Sequence, residues 1–128
     1  MELKDVNKKN FRYGNIINYQ KGDGILQGKI YCINYTTLTV GDSSTRHTIK
    51  YNRIIPILLS EEWFTKFKFE NIQDGWFAKD KVGQYYDFTW NIYDKELRYR
   101  GNVIPHIDYV HQLQNFYFVT KDAELWES

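Results

Sequence analysis

The chain reads as an α+β protein: an N-terminal β lobe, a connecting helix, an antiparallel β-sheet and a C-terminal helix. Three observations predict this. Short apolar–polar alternations separated by turn residues fill the first half. The stretch Ile54-Ile55-Pro56-Ile57-Leu58-Leu59-Ser60-Glu61-Glu62-Trp63 passes from an apolar run into a helix start. Near Pro105 the hydrophobic period changes from two to about 3.6.

Residues 1–10 are polar and predict a flexible N-terminus. The β lobe spans 11–59. Its strands are expected at Arg12 to Tyr19 and Ile25 to Tyr35, around Leu38 and Val40, and around Ile49 and Tyr51, with turns at Lys21-Gly22-Asp23-Gly24 and from Gly41 to Thr45. So many short strands in under fifty residues fit a small curled sheet or barrel, SH3-like in scale. In the second strand Leu26, Gly28, Ile30 and Cys32 share one face, which predicts a buried Cys32 and a bulge or bend at Gly28.

The segment 60–128 is expected to form an α/β lobe sharing a core with the first. Ser60 is placed to cap the connecting helix, with Glu61 and Glu62 at its positive end. Trp63, Phe64 and Phe67 share one helix face, and Glu62 lies four residues before Lys66. Tyr86, Phe88, Trp90 and Ile92 alternate with Tyr85, Asp87, Thr89 and Asn91. Leu97-Arg98-Tyr99-Arg100 supplies an antiparallel partner whose arginines face away from Leu97 and Tyr99. The second helix is expected from about Ile107 to Thr120, with a core stripe of Tyr109, Val110, Leu113, Phe116 and Tyr117. Asp108 is a candidate N-cap.

Composition narrows the function classes. The chain has 128 residues, 18% of them aromatic, and a single cysteine, so it carries no internal disulfide and suits a reducing compartment. Met1 to Asp5 do not read as a signal peptide, and the longest apolar run, Ile54 to Leu59, is far short of the roughly 20 residues a membrane helix needs. The reading is a soluble, cytoplasmic protein. Net charge is +1, yet the chain up to Leu59 has nine basic and four acidic residues, while the remainder has eight and twelve. Such asymmetry hints at two surfaces with different partners.

Pro56-Ile57-Leu58-Leu59-Ser60-Glu61-Glu62-Trp63, Tyr109-Val110-His111-Gln112-Leu113-Gln114-Asn115-Phe116-Tyr117-Phe118 and Arg12-Tyr13-Gly14-Asn15 together resemble a family of small uncharacterised proteins from phages and prophages of anaerobic gut bacteria. The resemblance implies a mobile-element setting, in the host cytoplasm if phage-encoded, and no particular activity. The chain departs from that family's pattern at Leu58, where a second proline is usual, and at Lys68 and Asp122, where glycines closing the helices are expected. In a left-handed conformation Lys68 would be strained by about 1 kcal/mol relative to glycine.

Chemistry-bearing motifs are weak. His106, Asp108 and His111 have poor metal-ligand spacing, and no nucleophile elbow, phosphate loop or dinucleotide fingerprint occurs. The sequence therefore calls for no catalytic residue, cofactor or metal, and leans against an enzyme, with a small hydrolase as third choice. Two surfaces remain. His111, Gln114 and Phe118 lie off the main stripe of the second helix, where they either pack on the first lobe or meet a protein partner or a second copy. Lys8, Lys9, Arg12, Lys50 and Arg53, among tyrosines, form the candidate surface for single-stranded nucleic acid. The leading expectation is a non-enzymatic binding protein, with a protein partner ahead of nucleic acid and no membrane.

Overall fold

The computed structural model describes residues 11–125, which divide into two compact units. The first takes in residues 11–58 and Tyr109–Glu124, and the second is Leu59–Asp108 with Leu125. In this division the C-terminal helix, expected with the second lobe, belongs with the first sheet. Lys8 and Lys9, and with them the flexible segment expected over residues 1–10, lie outside the described residues. Among the described residues no helix is long and apolar enough to cross a membrane.

In the first unit five antiparallel strands follow one another: β1 (Ile16–Lys21), β2 (Gly24–Ile33), β3 (Thr37–Gly41), β4 (Arg46–Lys50) and β5 (Ile54–Ile55), with a 3-10 turn at Tyr51–Arg53 before the last. Their order is β4-β3-β2-β1-β5. The loop Gly22-Asp23 carries φ +61° at its glycine, as a two-residue hairpin turn with glycine first requires. Phe11, Ile17, Tyr19, Ile30, Leu38, Val40, Ile49 and Ile54 form the core. Gly28 is needed for a reason other than a bend: a Cβ there would lie 2.8 Å from the carbonyl oxygen of Gly41, so two backbones cross where only glycine fits. The bulge falls later, between Ile30 and Cys32. One extra residue reverses the alternation, and Cys32 turns outward, exposed, instead of joining the apolar face as its spacing predicts.

The second unit opens with α1 (Glu61–Lys66) and continues as a meander of β6 (Glu70–Gln73), β7 (Trp76–Val82), β8 (Tyr85–Asn91), β9 (Leu97–Tyr99) and β10 (Asn102–Ile104), each strand pairing with the next. The predicted face of α1 is buried: Phe64 stacks on Trp90 with centroids 4.2 Å apart and meets Phe69 edge-on at 4.9 Å. Phe77, Phe88 and Leu97 complete the core, and each large buried side chain contributes about 1.5 to 3 kcal/mol. Glu62 and Lys66 pair at 3.2 Å. Ser60 occupies the N-cap position in extended conformation, but its hydroxyl makes no capping bond; its carbonyl accepts from Trp63 and Phe64 instead. The helix ends in a Schellman turn, with Phe69 donating to Phe64 and Lys68 to Thr65, and Lys68 takes φ +69°.

The second helix, α2 (Val110–Lys121), starts three residues later than its periodicity suggests. Tyr109, not Asp108, is the N-cap, and its amide donates to the Gln112 side chain at 3.1 Å. Asp122 closes the helix at φ +52°. Over the described residues the protein is thus mostly antiparallel sheet with two helices, of the α+β class.

Candidate functional site

The opening Arg12-Tyr13-Gly14-Asn15 and α2 are bound together in the first unit. Gln114, fully buried, accepts from the Ile16 amide at 2.8 Å and donates to the Gly14 carbonyl at 3.2 Å. Asn15 donates to Asn115 at 2.8 Å. Arg12 grips Glu124 with both guanidinium ends at 2.7 and 2.9 Å, donates to Asn115 at 3.2 Å, and lies 4.3 Å over the ring of Phe118. His111 is fully buried, its ring 4.6 Å from Phe11 and 5.9 Å from Tyr109. Burial pushes it down to about 4, so it is neutral at pH 7. Of the proposed partner surface, His111 and Gln114 are therefore interior residues and Phe118 is half-buried beneath Arg12. Arg12 itself is committed inside the unit, and so does not stand with Lys50 and Arg53 as a free cation.

Lys50 and Arg53 do come together. With Lys21, Gln20, Gly22, Thr48 and Ile49 they line a hollow of about 320 Å³ between the end of β1 and the strand β4 with its following turn. All three cations are exposed, and Arg53 donates to Gln20 at 3.1 Å. Among the described residues no carboxylate pairs with any of the three.

The larger concavity lies on the second sheet, on the face turned away from Phe77, Phe88 and Trp90. Its volume is about 850 Å³. The pairing register puts Ala78, Thr89 and Arg98 in one row across β7, β8 and β9, and Val82 opposite Tyr85. Ile72, Val82 and Tyr85 give it a rim of exposed apolar side chains. On its floor Asp87 is buried and accepts from Arg100 Nε at 3.2 Å, while the Arg100 amide donates to the Asp87 carbonyl at 2.7 Å. Arg100 holds this place at φ +51°, followed by Gly101 at +84°, a two-residue turn in which a left-handed arginine is strained by about 1 kcal/mol. From this turn the guanidinium, 65% exposed, reaches back to Asp87.

Arg98 stands next to this pair. Its guanidinium lies 5.6 Å from the centre of the Trp76 ring, and its Nη2 is 3.5 Å from Glu96. Its Nε is sealed from solvent without a hydrogen-bond partner among the described residues. Tyr86, at the margin, donates to Glu70 at 3.0 Å, and that bond, with a smaller contribution from burial, holds its phenol above the ordinary range. The sequence signal for this site was the polar side of two strands, Tyr85, Asp87 and Thr89 with Arg98 and Arg100. Such alternation ordinarily marks a solvated face, so the concavity appears only once the strands are paired. Among the described residues no group of three or more His, Cys, Asp and Glu is placed to hold a metal. Comparison with protein-family models, with curated proteins and with solved structures finds no match to the chain.

Proposed function

We propose that the protein is a non-catalytic binding protein that receives a protein partner in the groove of its second sheet. One observation carries this reading: an open concavity of about 850 Å³ with an apolar rim and a few fixed polar groups on its floor, the composition that binding clefts share. As part of the same proposal, the setting implied by the resemblance to phage-associated proteins would make that partner a protein of a prophage-carrying or infected cell. The test is selection of a displayed heptapeptide library against the wild type and against a Val82→Asp, Tyr85→Ser variant. Peptides that need the groove are expected from the wild type alone. If both selections return the same peptides, the groove is not the site.

A second reading, binding of single-stranded nucleic acid by the first unit, is favoured by the convergence of Lys21, Lys50 and Arg53 on one hollow. Within this reading the first unit is an SH3-like barrel, supported by the return of β5 to β1 and by the hollow that the end of β1 lines together with β4. Anisotropy with a mixed oligonucleotide tests it. Neutralising Lys50 and Arg53 together should lower the slope of log affinity on log salt by about 1.4 if both contact phosphate. No binding at low salt removes this reading.

A further inference from the structure

We propose that the groove of the second sheet recognises an extended peptide segment in which an acidic side chain is accompanied at alternate positions by apolar ones, with Arg98 as the residue that takes the carboxylate. The inference rests on the reading of the groove as a protein-binding site and gives that site its ligand chemistry.

The charge balance on the floor points to an anion. Two guanidiniums, Arg98 and Arg100, line the groove beside a single carboxylate, Asp87, and Arg100 already engages it at 3.2 Å. Arg98 is held less well. Among the described residues it pairs with Glu96 alone, at 3.5 Å through Nη2 between side chains that are 36% and 42% exposed, a solvated pairing of little strength. Meanwhile its Nε has lost water and gained no partner among the described residues, which is costly for a charged donor. A carboxylate arriving from the groove could draw the guanidinium off Glu96 and accept from Nε and an Nη together, the side-on bidentate pairing that suits arginine. The present arrangement satisfies one of those donors at most.

The shape points to an extended chain. Lining residues run from Ile72 on β6 across β7 and β8 to Arg100 and Gly101 at the end of β9, three strand spacings or about 14 Å, the reach of about four extended residues. In such a chain successive side chains point to opposite sides. Val82, Tyr85 and Ile72, 59%, 72% and 42% exposed, offer apolar contacts on β7, β8 and β6, to one side of Arg98 on β9. A segment with an acidic residue at one position and apolar residues two and four positions away turns all three side chains to the sheet and matches that layout, whereas a bare anion would leave the rim unused.

The test is an NMR titration of the full chain with two end-blocked hexapeptides in which leucines stand two and four residues after an aspartate or, in the second peptide, after an asparagine, with serines at the remaining positions. The aspartate peptide should shift the amide signals of Val82, Tyr85 and Thr89 and bind about tenfold tighter than the asparagine peptide. Arg98→Gln should abolish that preference while leaving the asparagine peptide's affinity unchanged. Because Arg98 also packs near Trp76, Val82→Asp serves as a second variant: a new carboxylate on the rim should weaken the aspartate peptide more than its counterpart. Equal affinity of the two wild-type titrations, with shifts still in the groove, overturns the carboxylate proposal and leaves the binding reading intact. An unchanged preference in a folded Arg98→Gln protein also overturns it. Shifts outside the groove, or none with either peptide, overturn both.

Discussion

Acidification should destabilise the first unit through one residue, His111. Its ring is fully buried against Phe11 and Tyr109, neither nitrogen has a hydrogen-bond partner among the described residues, and burial lowers it from 6.5 to about 4. The folded protein thus keeps His111 neutral across a range in which the unfolded chain protonates it. Below pH 6.5 the unfolded state binds more protons, so stability falls with pH until about 4 and then stops responding to this group. Working the linkage between 6.5 and about 4 gives a loss of about 2 kcal/mol at pH 5 and about 3 kcal/mol by pH 4. Above pH 6.5 the contribution is flat. Urea melts of the wild type and of His111→Phe at pH 7 and pH 5 isolate the effect, because every other titrating group is common to both proteins. The variant keeps a ring between Phe11 and Tyr109 but has nothing to protonate, so its stability should fall between the two pH values by about 2 kcal/mol less than the wild type's. Parallel losses in the two proteins would refute the argument and show that His111 finds a proton acceptor or water in the fold.

Four further outcomes follow from the packing. Gln114→Ala should cost about 1 to 3 kcal/mol for each of the two backbone groups it leaves unpaired, the Ile16 amide and the Gly14 carbonyl, seen as a lower denaturation midpoint. Gly28→Ala should cost about 1 to 3 kcal/mol by forcing its methyl against the Gly41 backbone, with the loss of amide exchange protection centred on β2 and β3. Ser60→Ala, despite the position of Ser60, should move the midpoint by no more than about 0.5 kcal/mol, since no side-chain cap is lost. Lys68→Gly should stabilise the second unit by up to about 1 kcal/mol, because a left-handed residue closing α1 suits glycine.

What could be read from the sequence was local. The alternation from Tyr85 to Ile92 specifies β8 and its core face, Trp63, Phe64 and Phe67 specify the buried side of α1, and glycine-bearing pairs such as Gly22-Asp23 and Asp74-Gly75 fix the tight turns. Left-handed residues at Lys68 and Asp122 occupy the two places where helix-closing glycines were anticipated. Non-local consequences were out of reach. A bulge near Tyr31 leaves no mark in composition, yet it decides that Cys32 faces outward. Arg12 reads as a surface cation until Glu124, 112 residues later, claims it. Asp87 and Asn91 sit on the polar side of an alternating strand, but Arg100 and the following loop cover them: Asn91 accepts from the amides of Tyr93 and Asp94 at 2.9 and 3.2 Å. Periodicity reports which way a side chain points, and pairing decides what it meets there.

The interrupted course of the first unit bears on the order in which the protein is made. The chain leaves that unit after Leu58 and re-enters it at Tyr109, where Leu58 and Tyr109 form a bridge and the Val110 amide donates to Ile57 at 2.8 Å. A ribosome therefore finishes the β6–β10 meander, whose strands all pair with their immediate successors, before it supplies the helix that the first sheet requires. Until residue 124 emerges, Arg12 has no Glu124, and the Ile16 amide and Gly14 carbonyl have no Gln114. A chain truncated after Ile104 should hold a folded second meander beside an unfinished first sheet. In that interval the first fifty residues are the part of the chain most exposed to proteases and most in need of a chaperone.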